Sequence, residues 1–174
     1  LVFFLSYLSS ISLFLIINYK FNILIVDYKL LSIFALSSLS FFVIGFVDDI
    51  KNLSPLLRLL MQFLISYFIW LNDIKISSLS FQILNNEIQI LLPIGLSLLL
   101  TILWIVGIVN ALNWLDGIDG LAVGVMIISN FTFMIFVFAM GEHTLFLIIC
   151  STLGTTIGFL RFNAFPSKIL MGDG

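Results

Sequence analysis

Charged residues are scarce in this chain of 174 residues, making up 9% of it, whereas 61% of the residues are hydrophobic. Soluble domains carry about 25% charged residues, because their surfaces must be solvated by water. The mean hydropathy of +1.26 therefore excludes an ordinary soluble domain. Lipid or other apolar helices must surround most of the side chains.

Three further scarcities limit the function and organisation of the chain. Basic residues number seven and the formal net charge is -2, whereas a nucleic-acid surface needs clustered Lys and Arg, so nucleic acid is excluded as a partner. The single cysteine, Cys150, excludes an intrachain disulfide and a thiolate metal site. No linker rich in Pro, Gly and Ser divides the chain, so we expect one domain over residues 1–174.

Long apolar segments dominate the rest of the sequence. A membrane-spanning helix needs about 20 mostly apolar residues. Six stretches approach this length, near residues 1–17, 30–47, 55–71, 92–110, 120–140 and 144–160. Between the third and fourth, apolar residues alternate around Asn85-Asn86, which favours a short interfacial β-hairpin over residues 74–90. The pattern predicts an all-α polytopic membrane protein with about six transmembrane helices. Because the chain begins at Leu1 without Met and ends at Gly174 just after a motif, we expect a fragment truncated at both ends.

Five of the nine acidic residues form three short clusters at the ends of apolar segments. These clusters are Asp48-Asp49, Asp116 with Asp119, and Asp173. Carboxylates are costly near a bilayer, so this placement indicates a function. If the segments alternate across the membrane, all three clusters lie on one side. That side carries four of the seven basic residues, a slight excess that favours a cytoplasmic location.

The first cluster lies in GFVDDIKNLSPLLRLLMQ, where two adjacent carboxylates repel one another. Such a pair needs water, a cation or a basic partner nearby, and Arg58, nine residues past Asp49, could be that partner. Ser54-Pro55 predicts the start of the helix that carries Arg58. The alternative is a solvated loop beside the membrane.

The second cluster, NALNWLDGIDGLA, repeats a polar side chain every three residues at Asn113, Asp116 and Asp119. This spacing predicts that the three lie close together on one side of a helical turn. Gly117 and Gly120 leave room for a ligand to approach. Oxygen ligands without His or Cys favour a hard cation, Mg²⁺ or Mn²⁺. A capped polar turn is the alternative, although capping needs fewer such side chains.

The third cluster, RFNAFPSKILMGDG, combines Arg161 and Lys168 with Asp173 between two glycines. Glycines around an aspartate suit a tight turn that presents a side chain or backbone N–H groups to a phosphate. A terminal loop with scattered charge is the alternative. Taken together, oxygen ligands for a divalent cation, basic residues for phosphate and a membrane scaffold indicate phosphoryl transfer to or from a lipid.

These three loops carry a resemblance to a known family. GFVDDIKNLSP, NALNWLDGIDGLA and FNAFPSKILMGDG resemble, in the same order, signature loops of the polyprenyl-phosphate N-acetylhexosamine-1-phosphate transferases. The form DDIKNLSPLLRLLMQ is more similar to the members that initiate O-antigen and common-antigen synthesis than to the muramoyl-pentapeptide transferases. The likeness runs from about residue 30 to the end of the chain.

The resemblance implies a reaction and a location. N-acetylhexosamine 1-phosphate would pass from a UDP-sugar to undecaprenyl phosphate with release of UMP, the first membrane step of a cell-surface polysaccharide such as lipopolysaccharide. The expected partners are these two substrates and the lipid bilayer, and a homodimer is one option for the oligomeric state. The location implied is the bacterial cytoplasmic membrane, with the active face towards the cytoplasm.

The resemblance also implies roles for the carboxylates. Asp119 and Asp173 would hold Mg²⁺, or Mn²⁺, against the diphosphate. Asp48 and Asp49 would act near the attacking lipid phosphate. With Asp116 and Asp119, they form the expected catalytic set.

Four residues are expected to bind substrate by the same resemblance. Arg58 would contact phosphate, and Asn113 and Asp116 would line the nucleotide site. Leu170 stands where family members carry an aromatic side chain that stacks on uracil, and an aliphatic side chain there would still cover the base. An early loop with a His/Lys-Pro-Thr signature and a later loop rich in His and Arg are missing from the chain, so we expect activity to need a longer protein.

Two rival functions belong to other classes. An ion- or proton-coupled transporter would line its path with acidic residues. Transport sites usually lie near the midplane on broken helices, whereas these clusters lie at segment ends, which favours an interfacial active site. A purely structural membrane subunit would leave the clustered aspartates unexplained.

Overall fold

The computed structural model describes residues 2–21, 25–83 and 86–169 of the chain. These residues contain six α-helices and one two-stranded sheet. The helices are α1 (Val2–Phe21), α2 (Tyr28–Lys51), α3 (Pro55–Leu71), α4 (Ile94–Leu115), α5 (Leu121–Met140) and α6 (His143–Asn163). Each predicted apolar segment falls on one helix, which confirms the all-α prediction.

Four of the helices, α2, α4, α5 and α6, are long and apolar enough to cross a membrane. α1 has 20 residues over Val2–Phe21, whereas α3 is shorter, with 17 residues over Pro55–Leu71. At 1.5 Å per residue, α3 covers about 25 Å of a hydrocarbon core that is about 30 Å thick. The chain is therefore a multi-pass helical membrane protein in which α3 is short for the full span.

The boundaries of α2 and α3 follow from local capping. The side chain of Asp27 caps the start of α2 by accepting hydrogen bonds from the backbone N–H groups two and three residues further along the chain. After the helix, Asn52 caps its end in the left-handed conformation with φ of 48°. Ser54 Oγ accepts from the N–H of Leu57, and Pro55 occupies the first turn of α3, where its missing N–H costs nothing. The helix start predicted at Ser54-Pro55 is confirmed.

The two strands, β1 (Ser78–Ile83) and β2 (Asn86–Leu91), form an antiparallel hairpin between α3 and α4. Its register places apolar residues opposite one another on one face, in the pairs Leu79–Ile90 and Phe81–Ile88. The hairpin predicted over residues 74–90 is confirmed, and residues 84–85 between its strands lie outside the described residues. Ile76 N–H donates to Thr101 Oγ1 at 3.0 Å, which ties the base of the hairpin to α4.

Helices adjacent in sequence pack against one another from α2 to α6, and α6 returns to contact α2. α1 packs against α6. The main apolar cluster joins α1, α2 and α6 through Tyr7, Ile11, Leu31, Leu147 and Ile148. Most other large apolar side chains on the described helices remain exposed, as expected where lipid is the solvent.

Small and polar side chains fill many of the helix contacts. Ser66 and Thr156 are fully buried. In a bilayer, apolar side chains gain little by meeting each other instead of lipid, so helices associate through close packing and hydrogen bonds. Asn110 Nδ2 on α4 donates to Gln62 Oε1 on α3 at 2.7 Å. This contact lies one to two turns from the end of the helix pair where the acidic residues are found.

Hydrogen bonds also show which connections share an end of the bundle. The N–H of Asp27, in the first connection, donates to Thr144 Oγ1 at the start of α6 at 2.8 Å. The first and fifth connections therefore meet. Trp70 Nε1 at the end of α3 donates to Ser97 Oγ at the start of α4 at 3.2 Å, which places the hairpin at the meeting of those two ends.

Candidate functional site

Asp48, in the last turn of α2, is buried with 7% of its surface exposed and is paired with Arg58 on α3. Arg58 Nη1 donates to Asp48 Oδ2 at 2.7 Å. The N–H of Leu53 donates to the other carboxylate oxygen at 2.8 Å. A buried carboxylate is tolerable when its oxygens are hydrogen-bonded and paired in this way. The basic partner expected for the first cluster is confirmed. Arg58 forms its ion pair with Asp48.

The short connection between α2 and α3 creates this pair. The N–H of Asn52 donates to the carbonyl of Asp48 at 2.8 Å, closing α2, and Ser54 caps α3 two residues later. The chain thus reverses within residues 52–54. Arg58, in the first turn of α3, then lies beside the last turn of α2. Asp49 is exposed at the same end.

A groove opens between α3 and α4, with Arg58 at one end. Its first part is a cleft of about 530 Å³ that also contacts Asn110 and Trp114. A second cleft of about 520 Å³ shares the lining residues Phe63 and Leu103 and has only apolar side chains. We call the two together the α3–α4 groove. Its lining is apolar except for Asn110 and the guanidinium of Arg58, both in the first cleft.

The second cluster is split between a helix and a loop. α4 ends at Leu115, so Asn113 is helical, and the N–H of Asp116 caps the helix by donating to the carbonyls of residues 112 and 113. Asp119 lies in the turn of residues 116–120. The prediction that Asn113, Asp116 and Asp119 share one helical turn is therefore wrong for Asp119, because the helix stops before Gly117.

Asp119 is held by a serine from the segment after α6. The N–H of Ser167 donates to Asp119 Oδ2 at 3.0 Å, and Ser167 Oγ donates to Asp119 Oδ1 at 2.7 Å. These bonds, the backbone one first, hold the pKa of Asp119 below its ordinary value, because they stabilise the ionised carboxylate. Asp119 therefore stays charged to lower pH than an unbonded aspartate.

A second contact joins the same two segments. Gly120, with φ of 73°, donates its N–H to Asn163 Oδ1 at 3.0 Å. Asn163 ends α6, is 1% exposed, and donates from Nδ2 to the carbonyl of Ile169 at 3.1 Å. A Cβ on Gly120 would lie 3.6 Å from Ala164 Cα, so the two backbones approach closely.

The first two acidic clusters lie at the same end of the bundle. The groove brings the end of α4 beside the start of α3, and the contacts of Ser167 and Asn163 bring the start of α5 to the end of α6. The expectation of a shared face is confirmed for Asp48, Asp49, Asp116 and Asp119. Asp173 and Leu170 lie outside the described residues, and the roles of all the site residues stay predictions.

The oxygen atoms of the side chains at this end of the bundle are suitable ligands for a hard cation. Asn113, Asp116 and Asp119 offer only oxygen, and each Asp119 oxygen accepts one hydrogen bond from Ser167, which leaves a further lone pair. Asp119 fits as a residue that would hold Mg²⁺. Among the described residues no group of three or more His, Cys, Asp and Glu is assembled for a metal. Mg²⁺ commonly takes one or two carboxylates and completes its shell with water and substrate phosphates.

Two residues at this site, Asn163 and Ser167, were missed by the sequence reasoning. Both lie in the third cluster, where the prediction rested on the charged residues, the two glycines and Leu170. An amide at the last position of an apolar helix, four residues before a serine, was the available signal. It was insufficient because the partners of both residues lie more than 40 positions away in the chain.

The fold and this end of the bundle define a class: a multi-pass helical membrane protein that gathers carboxylates, an arginine and an apolar groove on one face. The model of the family described as glycosyl transferase family 4 matches residues 31–174. The chain belongs to this family.

Individual relatives agree with the family. The chain is 31% identical over 132 residues to the probable undecaprenyl-phosphate N-acetylglucosaminyl 1-phosphate transferase of Bacillus subtilis (strain 168), which covers 75% of this chain and 36% of that protein. It is 33% identical over 143 residues to the phospho-N-acetylmuramoyl-pentapeptide-transferase of Streptococcus pyogenes serotype M49 (strain NZ131), covering 75% of this chain and 41% of that protein. The chain thus spans about two fifths of the length of these curated relatives.

Proposed function

We propose that this family member transfers an N-acetylhexosamine 1-phosphate group from a UDP-sugar to undecaprenyl phosphate. An oxygen of the lipid phosphate attacks the β-phosphorus of the donor, and the bond between that phosphorus and the bridging oxygen breaks. UMP leaves with the bridging oxygen, and undecaprenyl-diphospho-sugar forms. In a bacterial cytoplasmic membrane, with the site on the cytoplasmic side, this would be the first membrane step of a cell-surface polysaccharide.

The observation that carries this proposal is the α3–α4 groove. A polyprenyl phosphate has a long apolar chain and an anionic head, and the groove has apolar walls and Arg58 at one end. Guanidinium is the side-chain group best matched to phosphate oxygens. Because the ion pair with Asp48 holds Arg58 in one position, its guanidinium stays at the end of the groove when no lipid is bound.

The remaining roles follow the order of the loops around the groove. Asp49 is exposed beside the Arg58 pair and would act on the lipid phosphate. Asn113 and Asp116, at the end of α4, would line the nucleotide site. In that site Leu170 would cover the uracil.

Asp119 and Asp173 would hold Mg²⁺, with Mn²⁺ as a substitute. The cation would neutralise charge on the diphosphate. The chain itself positions the two phosphates and keeps Asp119 ionised through Ser167.

The location of the acidic side chains supports an enzyme over the transporter alternative. Within α1 to α6, Asp and Glu occur only in the last turn of α2, and the other described acidic residues lie in connections or strands. A transport path would instead place them near the middle of the membrane. The two relatives also bear names of enzymes that transfer phosphorylated sugars, one of them to undecaprenyl phosphate.

The test is an assay of the full-length protein in nanodiscs that follows UMP release. Undecaprenyl phosphate and a panel of UDP-N-acetylhexosamines are supplied with and without Mg²⁺. We expect UMP release that requires the lipid, one donor and the cation. An absence of UMP release with every donor would contradict the proposal.

A groove-filling variant tests the binding of the lipid itself. Gly107 lines the groove, and a Cβ added there meets nothing within 4 Å, so Gly107→Leu should fill the groove without distorting α4. We expect the KM for undecaprenyl phosphate to rise about tenfold, the effect of losing roughly 1.4 kcal/mol of binding. The KM for the UDP-sugar should stay unchanged. Gly158→Leu, on α6 and equally uncrowded, is the control. An unchanged lipid KM in Gly107→Leu would remove the groove from the site.

A further inference from the structure

We infer that Ser167 and Asn163 are positioning residues that orient Asp119 by clamping the loop of residues 116–120 onto the segment after α6. This inference rests on the proposed function, since it concerns how the same cation site is held. Neither residue is expected to contact the reacting atoms. Each acts through another residue.

Ser167 sets the plane of the Asp119 carboxylate. It donates from its backbone N–H to one oxygen at 3.0 Å and from its hydroxyl to the other at 2.7 Å. A single hydrogen bond would leave the carboxylate free to rotate about its last torsion, whereas two bonds from one residue restrict that torsion. Hydrogen bonds to an ionised acceptor are also about twice as strong as neutral ones.

Asn163 joins the two segments through both ends of its amide. Oδ1 accepts from Gly120 and Nδ2 donates to the carbonyl of Ile169. Only one orientation of the amide satisfies both partners, because the first is a donor and the second an acceptor. With 1% of its surface exposed, Asn163 has no water to replace either bond.

The backbone around the clamp is held as well. The N–H of Lys168 donates to the carbonyl of Phe162 at 2.9 Å, so the segment after α6 folds back on the end of that helix. Gly120 precedes the first residue of α5 and offers no side-chain cap, and its backbone N–H donates to Asn163. Ser167 therefore reaches Asp119 from a backbone that is itself fixed at both sides of the contact.

A fixed carboxylate binds a cation more tightly than a mobile one, because it loses less conformational entropy when the cation binds. Removal of a group that orients a metal ligand typically weakens metal affinity by about 10- to 100-fold. Ser167→Ala removes the hydroxyl bond and leaves the backbone bond, so we expect a loss of about tenfold. Ser167→Thr retains both donors and should restore most of the affinity.

The experiment measures Mn²⁺ binding to the full-length protein by electron paramagnetic resonance, with UDP-N-acetylglucosamine present and undecaprenyl phosphate omitted. No turnover occurs under these conditions, so binding is read separately from chemistry. We expect the Mn²⁺ dissociation constant to rise about tenfold in Ser167→Ala and to change less than threefold in Ser167→Thr. Ser38→Ala, which loses a hydroxyl bond within α2, should match wild type.

Asn163 is tested with two variants. Asn163→Leu removes both hydrogen bonds of the amide, whereas the second variant removes only one. Asn163→Leu should weaken Mn²⁺ binding, and a lowered Tm would accompany it. Asn163→Asp keeps the acceptor for Gly120 and removes the donor to Ile169. It should raise the dissociation constant about tenfold by the same argument. Normal Mn²⁺ affinity in a folded Asn163→Asp protein would remove Asn163 from the clamp.

Other outcomes separate this inference from the proposed function. Mn²⁺ binding by Ser167→Ala as tight as wild type, or tighter, would overturn the inference while UMP release by wild type upheld the function. An equal loss in Ser167→Ala and Ser167→Thr would show that the hydroxyl bond is not the cause and would also overturn it. A wild-type protein that neither binds Mn²⁺ nor releases UMP would overturn the proposed function together with the inference.

Discussion

At the scale of single residues, the neighbouring carboxylates Asp48 and Asp49 have different surroundings. Asp48 is buried and bonded to Arg58 and to the N–H of Leu53, whereas Asp49 is exposed. The side chains of adjacent helical residues point about 100° apart. Two residues that look equivalent in sequence are therefore expected to differ in role, one holding the loop and the other facing substrate.

Asp48→Asn and Asp49→Asn should separate these roles. The first replaces the charge-assisted bond between Arg58 and a buried carboxylate with a weaker bond, which we expect to cost about 1.5–3 kcal/mol of stability. The second changes an exposed side chain and should therefore cost less stability than the first. Melting temperatures in one detergent measure both effects, and UMP release measures activity.

We expect Asp49→Asn to lose activity while keeping its Tm, and Asp48→Asn to lose both. Equal melting temperatures in the two variants would contradict the structural role of Asp48. Full activity in Asp49→Asn would remove that residue from the catalytic set.

At the scale of elements, the contact between the start of α5 and the end of α6 depends on one glycine. Gly120 has φ of 73° and its backbone approaches Ala164. The left-handed region costs a residue with a Cβ about 1–2 kcal/mol, so Gly is the residue that this turn favours. Gly124, one turn into α5, has open space around it.

Gly120→Ala and Gly124→Ala should therefore change stability in opposite directions. The first forces alanine into a left-handed conformation and should lower the free energy of unfolding by about 1–2 kcal/mol. The second improves helix propensity and should raise it by about 0.5–1 kcal/mol. Melting temperatures of the two variants test this, and a stabilised Gly120→Ala would contradict the turn geometry.

At the scale of the whole molecule, the alternation of six helices places the second, fourth and sixth connections on one side. Cysteine labelling in vesicles tests this, in a Cys150→Ser background that removes the native thiol. Lys51→Cys and Lys168→Cys should react with a membrane-impermeant maleimide from the same side. Ser80→Cys and His143→Cys, both exposed at the opposite end, should react from the other side. Opposite labelling of Lys51→Cys and Lys168→Cys would contradict the topology.

Much of this organisation could be predicted from local patterns. The start of α3 at Ser54-Pro55 and the hairpin are signals confined to a few residues, and both are confirmed. The single helical turn expected for Asp119 was wrong, because the spacing of three residues does not show that the helix stops at Leu115. Ser167 was missed because its partner lies 48 residues away.

The sequence by itself determined that the chain is a multi-pass helical membrane protein and that its first two acidic clusters share a face. Both conclusions depend only on the length, hydropathy and order of segments, which the bilayer converts directly into spans. Only the tertiary structure decided which carboxylate is paired with Arg58, where the apolar groove lies, and that Ser167 and Asn163 hold the loop of Asp119. Those contacts join residues on different helices, and their distances depend on how the helices pack.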